Sequence, residues 1–156
     1  MNIILFGPPG AGKGTQADNI VKEHKLHKIS TGDLLRQEVE MKSELGNKIK
    51  LVISEGKFVS DDIINKLIEK ILASKKYYNN LIFDGYPRNL NQAKNLDVLH
   101  KKHNQKISRV LNLKVDQDTV IKRILGRQIC SKCGSIFNDF FKSGDNKNHP
   151  CGPSYL

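Results

Sequence analysis

Tryptophan is absent from the chain, and only 6% of its residues are aromatic. The scattered lysines, Lys42, Lys48, Lys50, Lys57, Lys66, Lys70, Lys75, Lys76, Lys101, Lys102 and Lys106, therefore lack the interleaved aromatic side chains of a nucleic-acid groove and are expected to form a solvated surface. Cysteine is scarce as well. The three present are an odd number gathered toward the C-terminal end, which fits a reduced compartment and metal ligation better than a disulfide framework. No stretch approaches the ~20 apolar residues of a membrane span, and the first segment lacks the basic leader and small-residue cleavage site of a secretory signal. The expectation is a cytoplasmic protein with no membrane partner. Acidic residues are in the minority, 16 against 26 Lys and Arg, for a net charge of +10 and a pI near 9.6. That balance suits an anionic ligand, a nucleic acid or an acidic surface, and does not choose among them. Internal repeats and low-complexity linkers are also missing, and 156 residues suffice for one core plus a small metal-stapled insert.

What is present begins at the N-terminus. Apart from Asn2, Met1 to Phe6 is apolar and runs directly into Gly7-Pro-Pro-Gly10-Ala11-Gly12-Lys13-Gly14-Thr15. Glycines at 7, 10, 12 and 14 let the backbone bend so that successive N–H groups point at an anion, and a helix beginning near Gly12 adds its positive end. Lys13 is placed to bridge the outer phosphates of a nucleoside triphosphate, and the Thr15 hydroxyl lies within reach of a phosphate or its magnesium ion. The general phosphate-loop pattern G-x-x-x-x-G-K-[ST] is met from Gly7 to Lys13, except that Gly14 stands where Ser or Thr is usual and Thr15 follows one place later.

Strands and helices alternate along the chain, which predicts an α/β fold with a parallel sheet flanked by helices. Strands are expected at Asn2 to Phe6, Leu26 to Ile29, Leu81 to Phe83 and Val110 to Val115. Helices are expected from Thr15 to Glu23, through Leu34, Leu35 and Val39, through Leu45, Ile49, Val52 and Ile53 up to the break at Glu55-Gly56, and from about Gln117 to Leu125 behind Asp116. The clearest helix follows Ser60 as N-cap, with Asp61 and Asp62 in its first turn and Ile63, Ile64, Leu67, Ile68, Ile71 and Leu72 at helical spacing.

Open α/β sheets place ligands beyond the carboxyl ends of their strands, and the informative polar residues lie there. Asp84, ending an apolar strand before Gly85, is where a carboxylate would hold magnesium through water. Tyr86-Pro87-Arg88 then offers a fixed turn and a planar guanidinium fork for a phosphate. Thr31 and Arg36 are candidates at a second anion-binding loop.

Gly7 to Thr15, Ser30-Thr-Gly-Asp-Leu-Leu-Arg36, Gly56-Lys-Phe-Val59, Asp84-Gly-Tyr-Pro-Arg88 with Gln92, and Arg123-Ile-Leu-Gly-Arg127 together resemble adenylate kinase in its long form with a cysteine-bearing lid. The resemblance runs over the whole chain. It implies a P-loop NTPase-like parallel sheet with a small lid insert: core at 1–29, an AMP-binding segment at 30–60, core again at 61–126 and part of a zinc-ribbon-like lid at 127–156. It also implies reversible, magnesium-dependent transfer of a phosphoryl group from ATP to AMP, giving two ADP, in adenine nucleotide homeostasis, by a monomer that takes no nucleic acid. Gly10, Ala11, Gly12, Lys13, Gly14 and Thr15 would hold the ATP phosphates, Arg123 would cover the ATP adenine, and Arg127 would reach the phosphates. Thr31 and Arg36 would face AMP, Lys57, Phe58 and Val59 would frame its sugar and base, and Gly85, Tyr86, Pro87, Arg88 and Gln92 would hold its phosphate and adenine. Lys13, Asp84, Arg88, Arg123 and Arg127 would carry catalysis. The four-residue spacing of Arg123 and Arg127 places both on one side of the helix end.

Cys130-Ser-Lys-Cys133-Gly134 has the C-x-x-C-G form of a zinc knuckle, and Cys151-Gly152 offers a partner. The second corner is degenerate. Taking Cys151 as fourth ligand puts Asn148 third with His149 beside it, and taking it as third puts Ser154 fourth; Cys130, Cys133, Cys151 and His149 are the expected set, the alternative being a vestigial knuckle of buried thiols. Relatives of this family continue past Leu156 with the rest of the lid, a fifth strand and a final helix. The sheet is therefore expected to lack its last strand, exposing the Val110 to Val115 edge, and the alternative to full activity is a catalytically weak nucleotide-binding fragment. A third possibility, a basic zinc-ribbon binder of nucleic acid, is opposed by the run from Asp84 to Arg88.

Overall fold

The structure, a computed structural model, describes residues 1–133, 136–141 and 151. Two compact units make it up, one formed by Met1–Phe6 with Lys13–Asn112 and the other by Gly7–Gly12 with Leu113–Leu156.

The first unit contains β1 (Asn2–Phe6), α1 (Lys13–His24), β2 (His27–Ser30), α2 (Thr31–Glu40), α3 (Glu44–Ser54), α4 (Asp61–Ala73), β3 (Leu81–Asp84), α5 (Leu90–Lys102) and β4 (Ile107–Asn112). The strands form one parallel sheet in the order β2-β3-β1-β4. Alternate residues of the central strands serve opposite faces, as the pleat requires. Ile4, Leu81 and Phe83 join Ile68 and Leu72 of α4 and Leu96 and Leu99 of α5, while Ile3, Leu5 and Ile82 pack with Ala17 of α1 and Leu26. Both faces of the inner strands are therefore covered, and their sequences read as unbroken apolar runs.

Strands and helices of this unit appear in the predicted order, with differences at the last strand, at the Ser60 cap and at α5. The last strand of the sheet runs Ile107–Asn112, not Val110 to Val115. Its extent follows its pairing: it accompanies β1 from Asn2↔Ile107 to Phe6↔Asn112, where β1 also ends. Among the described residues it is a sheet edge, and Val110 and Leu111 are substantially exposed. Ser60 does occupy the N-cap of α4, but its side chain makes no capping bond; its carbonyl accepts from the N–H groups of Ile63 and Ile64. Helix α5 has no counterpart among the predicted helices. Leu90 and Val98 are exposed while Leu96, Leu99 and His100 are buried, which blurs the apolar stripe.

Helices α2 and α3 form a hairpin whose contact depends on Gly46. A Cβ there would fall inside van der Waals contact with the Glu38 carbonyl oxygen. Ser43 completes the joint, accepting from the Gly46 N–H at 2.9 Å and donating to Glu38 Oε1 at 2.6 Å.

At the amino end of the sheet the buried side chains are polar. Asn2 Oδ1 accepts from the Leu81 N–H (3.1 Å), so Asn2 Nδ2 faces Gln105 Oε1 (3.1 Å) and His100 Nε2 (3.2 Å). His100 Nδ1 lies 2.9 Å from the Leu96 carbonyl and must carry the proton, which leaves Nε2 as the acceptor. Gln105 Nε2 donates to the Leu72 carbonyl at 2.8 Å. Burial pulls the His100 pKa below its ordinary value, the Leu96 carbonyl and Asp97 opposing and His103 assisting. The edge of its ring meets Phe83.

In the second unit the Gly7–Gly12 turn is closed by an Ala11 N–H to Pro8 carbonyl bond of 3.1 Å. Asp116 caps α6 (Gln117–Leu125), accepting from the Thr119 N–H at 2.8 Å, as expected. An antiparallel pair comes next, β5 (Arg127–Ile129) with β6 (Ile136–Asn138). The Asp139 N–H donates to the Gly126 carbonyl and Asn138 Nδ2 to the Arg123 carbonyl, tying this hairpin to the end of α6. Among the described residues no helix is long and apolar enough to cross a membrane.

Gly46→Ala is expected to lower stability by about 1–3 kcal/mol, the usual cost of overpacking, as measured by urea denaturation. His100 is neutral when folded and has a depressed pKa, so its contribution to stability is complete above about pH 6.5 and is lost as pH falls below that value. The urea midpoint should fall with acidification over that range, and His100→Gln should flatten the fall.

Candidate functional site

Register positions the candidate residues of the first unit. Leu5 and Ser30 both pair with Asp84, so β2 and β3 end level with β1 one residue longer, and the segments that leave these strands emerge at one edge of the sheet. Helix α1 begins at Lys13 with Gly14 and Thr15 in its first turn, and that turn contains no acidic residue to compete for an anion. A Cβ at Gly14 would stand 3.7 Å from Asp84 Oδ2, so the start of α1 and the end of β3 are neighbours.

Thr31, buried at the start of α2, accepts from Arg88 Nη2 at 3.2 Å, and Arg88 Nε donates to the Gly85 carbonyl at 2.8 Å. The guanidinium is thus aimed before any ligand arrives. Arg36 pairs with Asp33 one turn earlier and closes over Gly32. Tyr86 is fully buried and donates to Asn65 Oδ1 at 2.9 Å; burial pushes its phenol above the ordinary range, keeping it a neutral donor. The Tyr86–Pro87 peptide is cis. Gln92 is buried with Oε1 accepting from the Arg88 N–H at 2.7 Å. The structure therefore brings Thr31, Gly85, Arg88 and Gln92 together and sets Asp84 beside Gly14.

Lys57, Phe58 and Val59 come after the end of α3 and are not gathered into that group. The Lys57 N–H caps the helix at the Val52 carbonyl, its ammonium pairs with Glu55 at 2.8 Å, and Phe58 is 96% exposed. Asp61 and Asn89 were not singled out from sequence. Asp61 accepts from Gln92 Nε2 at 2.6 Å and from Asn89 Nδ2 at 2.9 Å. The only trace of this in the sequence is a first-turn Asp and a helix-capping Asn, both ordinary where they stand.

In the second unit, Arg123 on α6 donates from Nη1 to the Ala11 carbonyl at 3.2 Å and lies over the Phe141 ring. Gly10 has φ +77°, and an added Cβ would meet Ile124 Cγ1 at 3.0 Å, so glycine is required on both counts. Arg127 departs from expectation in its setting. Helix α6 ends at Leu125 and Arg127 is the first residue of β5, exposed, so helical spacing does not relate it to Arg123.

The ligand atoms of Cys130, Cys133 and Cys151 lie within 4.8 Å of one another, and none of the three is in a disulfide. Burial, then hydrogen bonds from Cys133 and Cys130, push the Cys151 thiol up to about 11. The three thiol sulfurs are close enough together to hold one metal ion. His149, together with the alternatives Asn148 and Ser154, lies outside the described residues.

A protein-family model described as adenylate kinase matches residues 5–149. Among curated relatives, an adenylate kinase of Pelagibacter ubique is 53% identical over 100% of this chain and 73% of its own length. One from Erythrobacter litoralis is 45% identical over 91% of this chain and 66% of its own, and one from Fervidobacterium nodosum 41% identical over 88% and 63%. The chain thus spans from under two thirds to nearly three quarters of the length of these relatives.

Proposed function

The chain belongs to the adenylate kinase family, and on that premise we propose that it transfers the terminal phosphoryl group of ATP to AMP, reversibly and with magnesium, giving two ADP. The observation that carries this is the Arg88 guanidinium, held on Thr31 and Gly85 at the sheet edge from which α1 starts with Lys13. Phosphoryl transfer asks chiefly for alignment and for cations around a loose, anionic transition state, and an Arg88 guanidinium held by Thr31 and Gly85 supports that reading. The backbone from Gly10 to Thr15 would cradle the ATP phosphates, Lys13 would bridge the outer two, and Arg123 and Arg127 would serve the adenine and phosphates of ATP. Thr31, Arg36 and Arg88 would take the AMP phosphate; Gly85, Tyr86, Pro87 and Gln92, with the backbone of Lys57, Phe58 and Val59, would take its sugar and base.

Asp84 suits a hydrated magnesium ion, being a carboxylate at a strand end beside the Gly14 backbone. Magnesium bound with ATP supplies charge neutralisation; the chain's own part is to hold the phosphates in line and exclude water. The thiols of Cys130, Cys133 and Cys151 lie close enough to hold structural zinc, for which His149 would be the fourth ligand. Zinc there would contribute on the order of 10 kcal/mol of folding energy, as in isolated finger peptides. The protein would act as a cytoplasmic monomer on ATP, AMP and ADP, without nucleic acid.

Incubated with ATP, AMP and magnesium, the purified chain should yield two ADP per ATP consumed by phosphorus NMR. Lys13→Ala and Arg88→Ala should each slow this by about a thousandfold, the scale of a transition-state cation. Absence of ADP from the unsubstituted chain, or undiminished turnover in either variant, would overturn the assignment. Metal analysis should find about one zinc per chain, lost in Cys133→Ser together with thermal stability; a metal-free chain of unchanged stability would refute the zinc site.

A further inference from the structure

Asp61 opens α4 opposite the start of α5, and its two carboxylate oxygens are divided between two amides. Oδ1 accepts from Gln92 Nε2 at 2.6 Å and Oδ2 from Asn89 Nδ2 at 2.9 Å. Asn89 in turn caps α5 by accepting the Gln92 N–H on its own Oδ1 at 2.8 Å. The far side of the Gln92 amide is held by the Arg88 N–H, which donates to Oε1 at 2.7 Å.

These partners leave the amide one orientation. A backbone N–H only donates, so the Gln92 oxygen must face Arg88; a carboxylate only accepts, so the nitrogen must face Asp61. A reversed amide would set donor against donor and oxygen against oxygen in a site where Gln92 is only 3% exposed. One N–H and one carbonyl lone pair remain uncommitted, in a fixed order.

We propose that Asp61 is a positioning residue for nucleobase selection: by pinning the Gln92 amide it makes that side chain complementary to adenine and mismatched to guanine. This rests on the role given to Gln92 in the proposed function. Adenine presents a ring acceptor beside an amino donor, and guanine presents the opposite order, a ring N–H beside a carbonyl. An amide free to turn over would serve either base. A pinned amide serves one and leaves the other with unpaired polar groups, the most effective basis for discrimination. The same carboxylate orders the Asn89 cap, so the base-reading side chain and the helix that carries it are fixed from one point. Asp61 touches no reacting atom.

The test is calorimetric binding of AMP and of GMP to the chain and to Asp61→Asn, Asp61→Glu and Gln92→Ala. Asparagine has one acceptor where aspartate has two, so Asp61→Asn cannot satisfy both amides. It should reduce the AMP-over-GMP preference at least tenfold while leaving ATP affinity unchanged, and Asp61→Glu should restore part of the preference. Side-chain NMR should show the Gln92 amide protons as separate, slowly exchanging signals in the unsubstituted chain and merged with the bulk in Asp61→Asn. A preference altered by Gln92→Ala but not by Asp61→Asn would overturn the role of Asp61 alone. A preference indifferent to Gln92→Ala would remove base reading by Gln92, and the positioning role of Asp61 with it. Should Asp61→Asn not fold, a reduced preference in Asp61→Glu with ATP binding intact supports the proposal, and full retention of preference there refutes it.

Discussion

The shared register of three parallel strands at Asp84 is the constraint from which the rest of the site derives. Because Leu5 and Ser30 share Asp84 as their partner, the sheet's hydrogen bonds fix where α2 and the Asp84 to Arg88 segment leave the strands. A slip of β3 by one position would turn Phe83 and Leu81 to the other face, emptying one core and crowding the other. The buried apolar residues on both faces therefore hold the polar residues at the edge. Packing and chemistry are joined through register.

That edge gathers positive potential with little side-chain freedom left to lose. Thr31 and the Gly85 carbonyl orient Arg88, and the first turn of α1 carries no acidic residue of its own. An arginine already forked toward its target loses less entropy on meeting phosphate than an unrestrained lysine would. Arg36 differs. Its pair with Asp33 is exposed, so a phosphate can take the guanidinium over at small cost, exposed ion pairs being weak.

How much of the fold was legible in the sequence depends on the range of the interactions involved. The first strand, the phosphate-loop turn, and the helix after Ser60 depend on patterns within about twenty residues, and they stand where those patterns put them. The β4 boundaries depend on how long β1 is, a fact a hundred residues away in the chain, and the local apolar run from Val110 misplaced them. Helix α5 was illegible because tertiary burial of Leu96, Leu99 and His100 stabilises it, whereas its exposed face carries Leu90 and Val98 and dilutes the period. Arg127 looked helical by spacing alone, but Gly126 ends the helix and β5 begins with it. Asp61 could not be assigned a partner from sequence, since only the packing of α4 against α5 brings it to Gln92.

The opposite edge of the sheet explains how such a site can be rigid without being uniformly apolar beneath. Asn2, His100 and Gln105 bond to Leu81, Leu96 and Leu72, so β1, β3, α5 and the end of α4 are joined at the amino end by directional contacts. Apolar packing alone tolerates small sliding of a helix along a sheet. A saturated polar cluster does not, because any shift leaves a buried donor or acceptor unpaired at about 1–3 kcal/mol each. Helix α5 is thereby fixed at both ends, by His100 in its last turn and by Asn89 and Gln92 in its first, the latter two bonded to Asp61. Gln92 is held in place because the helix that carries it has no freedom to slide.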